Sequence, residues 1–299
     1  MIASKRLSSA TQLKLRPPLG PFTVQTHHPQ LRESGRDNVQ FLKSLGSKKM
    51  STPAQLLEPL TNPSATADTV SAAVQGFNTQ ARASASTIGD YLWDAFNAVF
   101  KAAGRTPPEH QGRLIDFLAQ LRGTTVTDAE GKVLKHEDGE VWRDLPTFGW
   151  VARDLWNFEP TEPSATARDI SKWENWTTFL AQLTARSAGE GSDPFDFSLF
   201  ALWALRDALE EEGRSASKPA VRLASLWVRF AGERLRKLSA IARDLDGNMG
   251  SSAGKYGQRG WKGFNEDRWK AWADELKAAQ ATLGPDETIE RAVKLMEEL

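Results

Sequence analysis

The chain has 299 residues, 38 Lys plus Arg against 38 Asp plus Glu, no Cys, 40 % hydrophobic residues and 11 Trp. A chain this long buries roughly three quarters of the surface it exposes when unfolded, so its core needs neither disulfides nor a structural metal. The lack of Cys excludes thiolate nucleophiles, Cys zinc sites and iron–sulfur ligation, and fits a reducing compartment. No run approaches the about 18 apolar residues that a membrane span requires.

The neutral total hides an asymmetry. Residues 1–49 carry nine bases and two acids (Glu33, Asp37), a net of plus seven, which leaves 29 bases and 36 acids, a net of minus seven, for the rest. Before Glu33 there is no acid, and Lys5, Arg6, Lys14 and Arg16 alternate with Ile2, Leu7, Leu13 and Leu15. That composition suits a mitochondrial transit peptide. It equally suits a disordered tail broken by Pro17, Pro18, Gly20 and Pro21, or an over-extended start with Met50 as the true one. Residues 1–51 are therefore read as a tail and 52–299 as a single helical domain. The location is cytoplasmic, or mitochondrial if the leader is genuine.

From residue 52 onward, apolar residues recur at helical steps between recognisable ends. A weak helix covers 65–83. Residues 87–103 align Ile88, Leu92, Phe96 and Val99 and stop at Gly104. Pro108 sits in the first turn of a helix carrying Leu114, Phe117, Leu118 and Leu121. Between 124 and 142, Val126, the turn Asp128–Gly131, and Val133 with Leu134 predict a small hairpin. Pro146 opens a helix with Phe148, Val151 and Leu155 facing inward. Residues 167–187 align Ile170, Trp173, Trp176, Leu180 and Leu183, with Glu174 and Asn175 pointing away, and end by Gly191. Asp196 is the expected N-cap of a helix running to Gly213. Pro219 begins a helix whose stripe, from Ala224 through Trp227, Ala231 and Leu238, is wide enough to be touched on more than one side. Asn265 caps a helix bearing Trp269, Trp272 and Leu276, and Pro285 leads into Ile289, Ala292, Val293 and Met296. The fold class is all-α, an irregular bundle of about nine helices.

Familiar motifs fail on their residues. Asp244, Asp246 and Asn248 match the first ligand positions of a calcium loop, but Met249 stands where Gly is needed and Lys255 where a bidentate Glu is needed. Gly250–Lys255 is one residue short of a phosphate loop, with Tyr256 in place of Ser or Thr. Residues 245–263, with six Gly and several bases, read as a flexible connection. No two His share a helical face, so neither a metal site nor a cofactor is expected.

Two features stand out. The Trp residues mostly lie on helical stripes and read as core, although Trp142, Trp150, Trp173 and Trp203 are candidates for an aromatic ligand pocket. Trp150 points away from its helix's apolar face. On the helix after Asp196, a step of about 100° per residue puts Arg206 and Glu210 within about 20° of Leu199, in the middle of the stripe. Four apart, they can pair, as a buried bridge or as a substrate-facing site. Arg206, Glu210 and Glu233 are the candidate catalytic residues.

Several Trp-centred segments occur in order: Trp142-Arg143-Asp144-Leu145-Pro146, Trp156-Asn157, Trp173-Glu174-Asn175-Trp176, Trp203 through Glu210, Trp227 with Ala231-Gly232-Glu233, and Trp269 with Trp272. Their order over residues 90–299 resembles a family of uncharacterised proteins from filamentous fungi, a domain of unknown function. The resemblance implies a fungal, cytoplasmic helical protein and supplies no reaction, cofactor or catalytic residue. The leading functional reading is a non-enzymatic domain that binds a protein partner or a small ligand, with homo-oligomerisation left open. The alternative is an enzyme or small-molecule carrier with an aromatic pocket, using Arg206 for an anion and Glu210 or Glu233 as acid or base. Nucleic acid is disfavoured as a partner because the folded part is net acidic.

Overall fold

The structure, a computed structural model, describes residues 50–156, 165–188, 193–211 and 217–299. Contacts divide the chain between Lys49 and Met50. The basic segment 1–49 and the breaks expected at Gly191 and Gly213 lie outside the described residues. The described residues contain ten α-helices and one two-stranded hairpin, so the fold is all-α.

Local chemistry sets most of the helix starts. Thr52 with Gln55 and Thr66 with Thr69 form capping boxes that open α1 (Pro53–Leu57) and α2 (Ala67–Ala83), each satisfying orphan N–H groups of the first turn. Helix α3 (Ile88–Arg105) follows, and Pro108 opens a short turn before α4 (Gly112–Arg122). A hairpin does fall within 124–142, but one turn later than expected: β1 (Lys135–His136) runs antiparallel to β2 (Gly139–Glu140), while the expected turn at Asp128–Gly131 closes only an isolated bridge between Thr127 and Val133. After it come α5 (Phe148–Leu155) and α6 (Ala167–Ala185), the latter capped by Thr166. Helix α7 (Ser198–Leu209) starts later than Asp196 predicts: Phe197 holds the cap position, and the Asp196 carboxylate accepts the Ser198 N–H at 2.9 Å. Helices α8 (Lys218–Ala240), α9 (Glu266–Leu283) and α10 (Glu287–Glu298) are capped by Ser217, Asn265 and Asp286.

Two helices organise the packing. Helix α3 gathers α1, α5 and α6, while α8 gathers α6, α7, α9 and α10, so α6 is common to both groups. The wide stripe of α8 has the central place that its width predicts: Val221, Ala224, Trp227, Val228, Leu235 and Leu238 are all inaccessible to solvent.

The α3–α6 crossing corrects two expectations. Gly104 does not stop α3; it lets α6 approach, because a Cβ there would lie 2.6 Å from Trp176 Nε1. The Trp176 indole donates to the Phe100 carbonyl at 2.5 Å and Asn175 donates to the Gly104 carbonyl at 3.1 Å. Glu174 is not left to solvent either. It accepts from Arg222 of α8 at 2.8 Å, and the same guanidinium grips Asp286 at the start of α10. A helix crowded on two sides has no purely solvent face, so polar residues off the apolar stripe still meet neighbours.

Candidate functional site

Glu210 is the inward carboxylate that the stripe arithmetic picks out, and its residue is fully buried. Its partner is not Arg206. Helix α7 ends at Leu209, and Glu210 follows as its C-cap, so the side chain leaves past the helix end toward α9. There the guanidinium of Arg268, also fully buried, meets it at 2.7 Å and 3.1 Å. Arg206 instead lies beside its neighbour Asp207 at 3.5 Å, with its own side chain 23 % exposed.

The pair is closed on every side. Glu210 Oε1 also accepts the Trp272 indole N–H at 2.8 Å, and Oε2 accepts the Ala253 N–H at 2.9 Å. Four bonds fill the acceptor sites of a carboxylate. The remaining N–H groups of Arg268 donate to the carbonyls of Gly250, Gly263 and Ser251 at 2.6, 2.8 and 3.2 Å, so all five guanidinium donors are used. An anion at the C-terminal end of a helix is opposed by the backbone dipoles, and Arg268 supplies the compensating charge. Burial pulls the Arg268 pKa below its ordinary value, against which Glu210 acts.

The connection 245–263 is therefore tied down rather than flexible. Leu245 N–H donates to the Lys262 carbonyl at 2.8 Å, Phe264 N–H to Arg243 at 2.9 Å and Ser252 N–H to Trp261 at 3.2 Å. The strands of the loop run so close that a Cβ on Gly250 would sit 2.0 Å from the Lys262 carbonyl oxygen and one on Gly263 2.1 Å from that of Arg243. Those two glycines are required by close approach.

Gly250-Ser251-Ser252-Ala253-Gly254 also has the Gly-x-Ser-x-Gly spacing of a nucleophile elbow, a signal missed at the level of sequence. That motif works on a strand-to-helix turn with a His base nearby. Here it lies between α8 and α9, and the adjacent carboxylate, Glu210, is fully engaged. Of the described His residues, His110 ends the turn before α4 and His136 packs on Gly89 of α3.

The candidate aromatic residues do not converge on one pocket. Trp142 is fully buried among Phe77, Tyr91 and Phe96, with ring centroids 6.2–6.3 Å away. Trp173 tilts against Trp156 at 5.3 Å, and Trp203 tilts against Phe200 and donates to the Met249 carbonyl at 3.1 Å. Trp150 is 54 % exposed, as its position on α5 predicts, and Glu233 is exposed on α8. Beside Phe100, Trp156, Trp173 and Trp176 a cavity of about 10 Å³ remains, lined also by Thr177. The buried Thr177 hydroxyl has no partner among the described residues. That volume suits at most one water molecule. Among the described residues no group of three or more His, Asp or Glu is placed to hold a metal ion, and no helix is long and apolar enough to cross a membrane.

Arg268 is the residue that sequence reading overlooks, and its signal is present. The same step of about 100° places it about 40° from Trp272, on the edge of the α9 stripe. A second charge on an apolar face, opposite in sign to Glu210, is the cue for a buried pair.

The described residues form an all-α unit built around two central helices, with the fully buried Glu210–Arg268 pair between α7 and α9. The chain belongs to the family described as protein of unknown function (DUF3632), whose model matches residues 96–276, from within α3 to within α9, including Glu210 and Arg268. No curated protein and no solved structure matches it.

Proposed function

We propose that residues 52–299 form one non-enzymatic binding domain whose ligand is another protein, acting in the cytoplasm of a fungal cell. The observation that carries this reading is the use of Glu210. The best-placed candidate acid has all its acceptor sites occupied by Arg268, Trp272 and Ala253, so it acts as a hub of the fold. The Trp candidates support it too, since Trp142 and Trp173 are core rings and the space beside Trp173 is of water size. Trp93 and Trp150, 39 % and 54 % exposed, are aromatic side chains on the surface, of the kind enriched where proteins meet.

Native mass spectrometry of the protein purified from its own host, intact and then denatured, tests the reading. A stoichiometric protein companion or a homodimer is the expected result. A small molecule released on denaturation would overturn it in favour of an enzyme or carrier using Arg206 and Glu233.

A further inference from the structure

The loop between α8 and α9 differs in charge from the unit that carries it. That loop, residues 241–265, carries Arg243, Lys255, Arg259 and Lys262 against Asp244 and Asp246, a net of plus two, whereas the chain after residue 49 is net minus seven. From the buried guanidinium outward, the loop forms a ladder of alternating chemistry. The Arg268 guanidinium carbon lies 5.6 Å from the Trp261 ring centroid, Trp261 stacks on Tyr256 at 5.2 Å, and the Lys255 ammonium lies 5.7 Å from the Tyr256 ring. Tyr256 is fixed in turn by its hydroxyl, which donates to Glu275 at 2.8 Å, and Lys255 pairs with the same carboxylate. The chain turns through Gly260 at φ 68°, and Arg259 and Lys262, both exposed, flank the half-buried Trp261 in the sequence. Among the described residues neither of these two cations has an ion-pair partner.

We infer that the outer edge of residues 256–262 is a docking surface for an acidic segment of a partner protein, with Arg259 and Lys262 meeting its carboxylates and Trp261 its apolar side chain. This rests on the binding-domain reading above and specifies its surface. Charge complementarity selects the partner's sign, and the hub selects the rigidity. A loop already ordered by Glu210 and Arg268 loses little further freedom on binding, which favours affinity from few contacts. A protein is favoured over a nucleic acid because a polyphosphate gains affinity from many neutralised phosphates. Two unpaired cations on a net acidic body offer too few and repel the rest of the strand.

Selection of a displayed library of random peptides on the intact chain tests the inference. Peptides rich in Asp and Glu around an apolar residue are expected. Their binding should weaken at least about tenfold with Arg259→Glu and Lys262→Glu combined, and measurably with both residues changed to Gln. Both variants should keep the parent's melting temperature, since the side chains are exposed and unpaired. Enrichment without acidic residues, or binding indifferent to both variants, would overturn the inference. So would tighter binding of a single-stranded oligouridylate than of the selected peptides. A protein companion that survives the charge reversal in native mass spectrometry would remove this surface while leaving the binding-domain reading intact.

Discussion

Trp142 and Trp272 are both fully buried indoles, yet they belong to different kinds of core. Around Trp142, the α3 group is aromatic: Phe96 and Phe148 meet edge to face at 5.1 Å, Phe100 stacks on Phe148 at 5.0 Å, and the Trp142 N–H has no partner among the described residues. Around Trp272, the α8 group is organised by charge, and the indole N–H is one of the four donors that hold Glu210. In the first region the side chain contributes mainly volume. In the second it contributes a donor whose loss leaves a buried anion short of a partner, and the asymmetry between losing volume and orphaning a polar group separates the two.

The largest expected effect breaks the charged core outright. Arg268→Met leaves Glu210 buried without its counter-ion and three loop carbonyls without donors, and should cost about 3–5 kcal/mol in urea unfolding. Adding Glu210→Leu should recover part of this, since an apolar pair avoids the uncompensated charge. Recovery should stay incomplete because the carbonyls of Gly250, Ser251 and Gly263 remain short of a donor. A single Arg268→Met variant as stable as the parent would remove the hub from the account.

Next, matched Trp→Phe changes sharpen the comparison. Trp272→Phe should exceed Trp142→Phe by about 2 kcal/mol, the worth of a hydrogen bond to a charged acceptor. Trp142→Phe loses volume but also removes an unpartnered donor. Equal losses would show that both indoles act by packing alone. Arg206→Met should cost less than about 1 kcal/mol, as expected for a partly exposed pair with its neighbour. A loss near that of Arg268→Met would restore Arg206 to the buried network.

Much of this fold is legible because the signals are local. Capping residues such as Asn265, the Pro residues near helix starts and the three- and four-residue apolar steps lie within a turn or two of what they specify. Glu210 is legible for the same reason, as a charge on an apolar stripe. Its partner is not, because Arg268 lies 58 residues further on and an i,i+4 neighbour of opposite charge stands nearer in the chain. The loop 245–263 misleads by composition. Six glycines suggest freedom, but Gly250 and Gly263 are glycine because other backbone comes within about a bond length or two of where their Cβ would be. Gly104 misleads likewise, as a packing contact that resembles a stop signal.

The smallest expected effect is a pH dependence that again distinguishes the two regions. Burial by itself would lift the Asp286 carboxyl. Hydrogen bonds and charge from Arg222, with the Ile289 and Thr288 N–H groups, outweigh that and hold it below the usual carboxylate range. Asp144, beside the α3 group, is also held low, first by its hydrogen bond from Arg143, but that Arg143 side chain is 63 % exposed and the Asp144 side chain 40 %. A depressed folded pKa contributes stability that is present above the unfolded value of about 3.9 and is lost as pH falls through the folded one. The stability difference between the parent and Asp286→Asn should therefore be constant above about pH 5 and close as the solution is acidified below about pH 4. Asp144→Asn should give a flatter curve, because solvent and salt screen its pair. Parallel pH profiles for the two variants would mean that the Arg222 bridge joining α6, α8 and α10 is no more protected from water than a surface contact.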